Sequence, residues 1–145
     1  MTASFIADGH HLPPEALKAM VRAKGPDRSI LVSDTVALAG MPAGTYTTPV
    51  GGRVELSADG RLSMEGTSTL AGGAIPLVHC IGRAMRMTGW ALVDVLAMAT
   101  VNPGRFVGDR GRLQVGGRAD LIRFHWTDEV AIQEVWLAGE LVVNV

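Results

Sequence analysis

Two short apolar runs joined by a helix-length segment restrict the folds open to this chain more than any other feature. "ASFIADG" is an apolar run closed by Asp8-Gly9, and "SILVSD" is a second run that ends in Asp34. Both have the length and boundaries of buried strands. Between them, "LPPEALKAMVRAKG" has the marks of a helix. Pro14 is tolerated in a first turn and Glu15 suits the N-terminal end. Leu17, Met20 and Val21 form one apolar stripe, and Lys24-Gly25 close the helix. So short a crossover between two strands predicts a parallel βαβ unit, and with it an α/β protein.

Beyond Gly40 the texture changes. Residues 40–66 are rich in Gly, Pro and Thr, and "RVELSADGRLSM" has a hairpin pattern with Asp59-Gly60 at its turn. "TLAGG" reads as a Gly-rich turn leading into a helix, either a flexible connection or a source of N–H groups for an anion. Ala74, Leu77, Val78, Ile81, Ala84 and Met85 then recur at helical spacing, with Pro76 in the first turn and Gly89 as the stop. A second helix, "WALVDVLAMAT", is expected to bury Leu92, Val93, Leu96 and Ala99 before Asn102-Pro103 ends it. The remainder is strand-like: Ala119–Phe124, then a hairpin turning near Ala138-Gly139. Strands that follow the helices suggest a β layer separate from the βα portion.

The chain's 145 residues suffice for one domain, and 48% hydrophobic with 19% charged residues exclude disorder. A net charge of −1 without any Lys/Arg run gives no basis for binding nucleic acid. No apolar run reaches membrane-spanning length, and "MTASFIADGHH" has no basic segment ahead of an apolar one, so no membrane association and a cytoplasmic location are expected. The single cysteine, Cys80, rules out an internal disulfide and fits the core of its helix.

Few residues could carry chemistry. A carboxylate at the end of a buried run needs a reason, because burying one is costly unless it is paired, hydrogen-bonded or near a metal. Asp34 reads either as a functional carboxylate or as a helix or loop cap. If the two strands are parallel, the loop holding Asp8, His10 and His11 opens on the same edge as Asp34. His10 and His11 read either as a solvent-facing pair or as part of a site. His79 and His125 read as structural or exposed, and Trp90, Trp126 and Trp136 as packing residues.

In order along the chain, "FIADGHHL", "ILVSDTVALAG", "STLAGG", "MATVNPGRFVG" and "GRLQVGGRADLIRF…EVWLAGELV" resemble the C-terminal part of the N-acetylglucosamine-6-phosphate deacetylases, within the amidohydrolase superfamily. The last segment is common to the superfamily; the Asp-Gly-x-His loop, the strand-end Asp and the Leu-Ala-Gly turn point to the deacetylase branch. The resemblance implies that Asp34 is the catalytic aspartate, which takes a proton from a metal-bound water and returns it to the leaving amine. It implies that Asp8, Gly9, His10 and His11 form one substrate-contacting loop and Leu70, Ala71 and Gly72 a second.

By the same resemblance, residues 1–39 would hold strands seven and eight of a (β/α)8 barrel with the helix between them. Residues 40–66 would be an excursion belonging to a small β domain, 67–107 the C-terminal barrel helices, and 108–145 the last strands of the small β domain. In this family a Glu and two His on earlier strands hold the metal. A divalent metal such as zinc is therefore expected in the complete enzyme, and no metal ligand is assigned within this chain. The expected substrate is an amino-sugar phosphate. The expected partners are the missing N-terminal barrel portion or a chain that supplies it, in a homo-oligomer. Alone, the chain is expected to be inactive. The competing readings are a non-catalytic fragment or assembly domain, and an amidohydrolase acting on another amide or on a cyclic amidine.

Overall fold

In the computed structural model, which describes residues 1–49 and 51–145, strands β1 (Ala3–Ile6) and β2 (Ser29–Val32) lie side by side and parallel, Phe5 opposite Leu31 and Ile6 opposite Val32. Helix α1 (Pro14–Lys24) and one 3₁₀ turn (Pro26–Arg28) make the crossover. The βαβ unit expected from the two apolar runs is thus present. Leu17 and Val21 of α1 are wholly buried, but Met20 is largely exposed. The helix rests on its neighbours through a single i, i+4 row, which leaves the third member of the expected stripe outside.

An antiparallel sheet follows, in the order β3 (Gly44–Thr48), β4 (Gly52–Leu56), β5 (Arg61–Met64) and β6 (Leu70–Gly73). The predicted hairpin is β4–β5. The Leu-Ala-Gly-Gly segment is not the turn expected but an edge strand bonded to β5, so the sheet runs past residue 66 to Gly73. Val54, Leu56, Leu62 and Ala74 form a core of their own here, covered by Val36, Leu38, Tyr46, Met64 and Ala71.

Helices α2 (Leu77–Thr88) and α3 (Leu92–Ala99) bury Cys80, Ile81, Ala84, Val95 and Met98 against Phe5, Leu17, Val21 and Leu31. Gly89 ends α2 in the left-handed region with φ 78°, as expected of a glycine stop. On α3 the buried face is Val95 and Met98, flanked by Leu92, Leu96 and Ala99; Val93, expected inside, is exposed. Asn102-Pro103 does not terminate the helical segment. The chain bends at Thr100 and resumes as α4 (Val101–Gly104).

The bend has a purpose that the sequence did not reveal. Asn102 is buried, and its Nδ2 donates to the carbonyls of Pro26 and Ser29, each at 2.8 Å, pinning α4 to the entry of β2. Asn102→Ala should strip this donor from both carbonyls, Pro26 O keeping the Ser29 N–H, and cost about 2 kcal/mol, as buried groups that lose a partner do. Urea unfolding of the variant would check this.

The last sheet has the order β7 (Leu121–Trp126), β8 (Val130–Leu137) and β9 (Glu140–Asn144), with the expected turn at Ala138-Gly139. Val130, Phe124, Trp126 and Ile132 seat it on the helical core. Gly82 of α2 permits that approach, since a Cβ there would lie 2.5 Å from the Asp128 carbonyl oxygen. Among the described residues, no helix is long and apolar enough to cross a membrane.

Candidate active site

Asp8 follows the C-terminal end of β1 and Asp34 that of β2. Because the strands are parallel, both carboxylates reach the same edge. Asp8 is 1% exposed. Its Oδ1 accepts the backbone N–H groups of His10 at 2.9 Å and His11 at 3.0 Å, an Asx turn that folds the loop back over the strand end. Its Oδ2 lies 2.8 Å from His11 Nδ1. The far nitrogen of the same ring, His11 Nε2, stands 3.8 Å from Asp34 Oδ2. The chain therefore sets an imidazole between one buried carboxylate and one that is half exposed.

The two acids have opposite surroundings. Burial pushes the Asp8 carboxyl up, but the two backbone N–H groups and the His11 ring outweigh it, so its pKa is lowered and it is ionised at neutral pH. A group whose folded pKa is lowered contributes stability above its unfolded value. That stability is lost as pH falls through the folded value. The gap in stability between wild type and Asp8→Asn, a neutral isostere, should accordingly hold from pH 7 to about 4 and shrink below it. Urea midpoints across that range would check the trend.

Asp34 is held from the other side. Its carbonyl accepts the Gly73 N–H at 2.9 Å, and Gly73 O accepts the Val36 N–H at 2.9 Å, so β6 is tied to the end of β2. Its φ of 53° is in the left-handed region, unusual for a residue with a side chain. Neither carboxylate oxygen accepts a backbone N–H among the described residues, so the loop-cap reading of Asp34 finds no bond to rest on. Gly72, with φ +100°, has no room for a Cβ, which would meet Val36 Cγ1 at 2.6 Å. The tie also places Leu70, Ala71 and Gly72 beside the Asp34 strand end. The Gly73 N–H is committed to Asp34, so the anion cradle considered for this Gly-rich segment loses that donor.

The remaining candidates scatter. His10 turns away from Asp34, its Nε2 lying 3.3 Å from the Asp59 carbonyl oxygen. His79 is exposed beside Glu129, with Nδ1 to Oε2 at 3.4 Å, and His125 is exposed. Cys80 is buried in the core, where burial first and the Asp8 carboxylate second push its thiol up to about 11. It is no nucleophile at neutral pH. Arg83 was missed in the sequence: its guanidinium crosses from α2 to donate to the Asp8 carbonyl oxygen. Nothing in the local sequence signals that reach. Among the described residues, no three His, Cys, Asp or Glu side chains are grouped so as to hold a metal.

Known proteins resemble this chain along nearly all of its length. The sequence pattern of the amidohydrolase family matches residues 2–142. The chain is 30% identical over 142 residues to the N-acetylglucosamine-6-phosphate deacetylase of Danio rerio, covering 95% of this chain and 34% of that protein. It is 29% identical over 140 residues to the N-acetylgalactosamine-6-phosphate deacetylase of Escherichia coli O157:H7, covering 94% and 36%. The crystal structure of the N-acetylglucosamine-6-phosphate deacetylase of Thermotoga maritima superposes with a TM-score of 0.87 at 27% identity, over 99% of this chain and 39% of that one. The chain thus spans little more than a third of these relatives' length, although it spans 80% of a shorter relative in E. coli (strain K12) at 29% identity.

Proposed function

Because this chain belongs to the amidohydrolase family, we propose that it forms the C-terminal part of a deacetylase that hydrolyses the N-acetyl group of an amino-sugar phosphate and releases acetate. In this reading β1 and β2 are the last two strands of a (β/α)8 barrel, and the sheets β3–β6 and β7–β9 belong to a small β domain. The N-terminal strands come from polypeptide beyond these residues, and the assembled enzyme is a cytoplasmic homo-oligomer.

One observation carries the reading: Asp34 and His11 Nε2 converge, 3.8 Å apart, at the adjoining ends of two parallel strands. Asp34 is half exposed and within reach of a water. It accepts a proton as the water oxygen attacks the acetamide carbonyl carbon. It returns that proton to the amine nitrogen as the C–N bond breaks, so one carboxylate serves as base and then acid. His11, with Gly9 in the same loop and Leu70, Ala71 and Gly72 beside the Asp34 strand end, lines the substrate's approach, while His10 is engaged with the Asp59 carbonyl.

The described residues do not fit a divalent cation by themselves. Asp34 and His11 Nε2 offer two ligand atoms at the shared strand-end edge, and Asp8 is buried and committed to three hydrogen bonds. A metal in the complete enzyme would be held by residues outside this chain. The chemistry assigned here is proton transfer and substrate contact.

To test the reading, this chain replaces the matching segment of the Thermotoga maritima enzyme. Acetate release is then measured on N-acetylglucosamine-6-phosphate and N-acetylgalactosamine-6-phosphate. Turnover on either sugar that depends on Asp34 supports the proposal, and a folded chimera inert toward both overturns it.

A further inference from the structure

Asp8 does more than shape its loop. We propose that Asp8 is a positioning residue that locks neutral His11 in the Nδ1–H tautomer, making Nε2 a hydrogen-bond acceptor for an O–H or N–H donor of the substrate. What Nε2 receives rests on the deacetylase reading above; the tautomer itself does not.

The division of labour between the two Asp8 oxygens is the starting point. Oδ1 alone accepts both backbone N–H groups of the turn, at 2.9 and 3.0 Å. An asparagine or serine could cap those donors without the cost of desolvating a charge. Among the described residues Oδ2 has one partner, His11 Nδ1 at 2.8 Å. An ionised carboxylate accepts and cannot donate, so the proton of that bond belongs to Nδ1. In the neutral ring the other nitrogen is then bare.

The far side of the ring is open. Nε2 and Asp34 Oδ2 are 3.8 Å apart, beyond hydrogen-bond distance, so Asp34 does not occupy Nε2 and an incoming group can. A donor entering that gap finds lone pairs on both sides. Arg83 stabilises the arrangement from behind by binding the Asp8 carbonyl oxygen, which holds the aspartate's backbone while its side chain holds the ring. Asp8, wholly buried, never meets the substrate; it acts through His11. Carboxylates that orient metal-bound imidazoles account for about 10- to 100-fold in function, and the same scale is expected for an imidazole that contacts substrate.

The ring nitrogens report the tautomer directly. The full chain is labelled with ¹⁵N-histidine, and long-range ¹H–¹⁵N correlations are recorded at a pH where the rings are neutral. The His11 signals are identified by their loss in His11→Gln. The proposal expects a protonated Nδ1 and a bare Nε2 in the wild type, and a protonated Nε2 there overturns it. In Asp8→Asn the amide can turn an N–H toward the ring, so the pattern should invert. An unchanged pattern in a folded Asp8→Asn also overturns the proposal, and if that variant does not fold the wild-type spectrum still decides.

In the active chimera, Asp8→Asn should lower kcat/KM by roughly 10- to 100-fold. Placed on top of His11→Gln, it should cost less than about 2-fold, because the two residues act as one unit. Losses that simply multiply would assign Asp8 a structural role instead. A chimera with no turnover would refute the deacetylase reading, while the nitrogen spectra would still settle the tautomer.

Discussion

Asp34→Asn, introduced into the Thermotoga chimera, should lower kcat by about 10³-fold, within the range expected for losing a proton-transferring side chain. KM should change little, because the amide keeps the volume of the carboxylate. Stability should also change little. Asparagine tolerates the left-handed backbone that Asp34 adopts at φ 53°, and among the described residues the carboxylate caps no N–H whose loss would be felt. Asp34→Gly sharpens the expectation. Glycine adopts a positive φ freely, so this variant should be as inactive as Asp34→Asn and yet more stable, by about 1 kcal/mol. Activity lost and stability gained at the same position mark a carboxylate kept for function at a cost in backbone strain. A capping aspartate would show the reverse, since both substitutions would destabilise the fold. Urea midpoints measured alongside acetate release separate the two cases.

The parallel pairing of β1 with β2, and so the meeting of Asp8, His11 and Asp34, was legible because it depends on local signals. Strand-length runs, one helix and a right-length crossover leave few topologies. Where reading failed, the deciding contact came from far along the chain. Met20 and Val93 fit their helices' apolar periodicity, but whether a flank of a stripe is covered depends on which neighbour lies there. Asn102-Pro103 looks like a helix stop. What fixes its conformation is a pair of carbonyls at Pro26 and Ser29, more than 70 positions away in sequence. The Leu-Ala-Gly-Gly segment has a turn's composition. It is a strand because β5 supplies a partner and because the end of β2 needs a neighbour without side chains. Arg83 left no local trace of its reach to Asp8. Chemistry-bearing residues at strand ends could be named in advance, whereas the groups that hold them in place could not.

The role of that side-chain-free neighbour leads to a second large effect. A Cβ on Gly73 would sit 2.5 Å from the Ser33 carbonyl oxygen and 3.2 Å from that of Asp34. Backbone cannot yield as a flexible side chain does, so Gly73→Ala must push β6 away from the end of β2. The Gly73 N–H to Asp34 O bond and the Val36 N–H to Gly73 O bond would both open. Overpacking at a buried site should then cost about 3 kcal/mol. The consequence for chemistry follows from the strain at Asp34. A positive φ in a non-glycine residue persists only while its surroundings impose it. Once Gly73 releases the carbonyl, Asp34 can relax to an ordinary backbone conformation and its carboxylate leaves His11. A displacement of about 1 Å in a reacting group is enough for a loss near 10²-fold in kcat. Gly73→Ala should therefore impair turnover and stability together, in contrast to Asp34→Gly, which separates them. A folded Gly73→Ala chimera with undiminished kcat would mean that Asp34 is held by something other than the β6 tie.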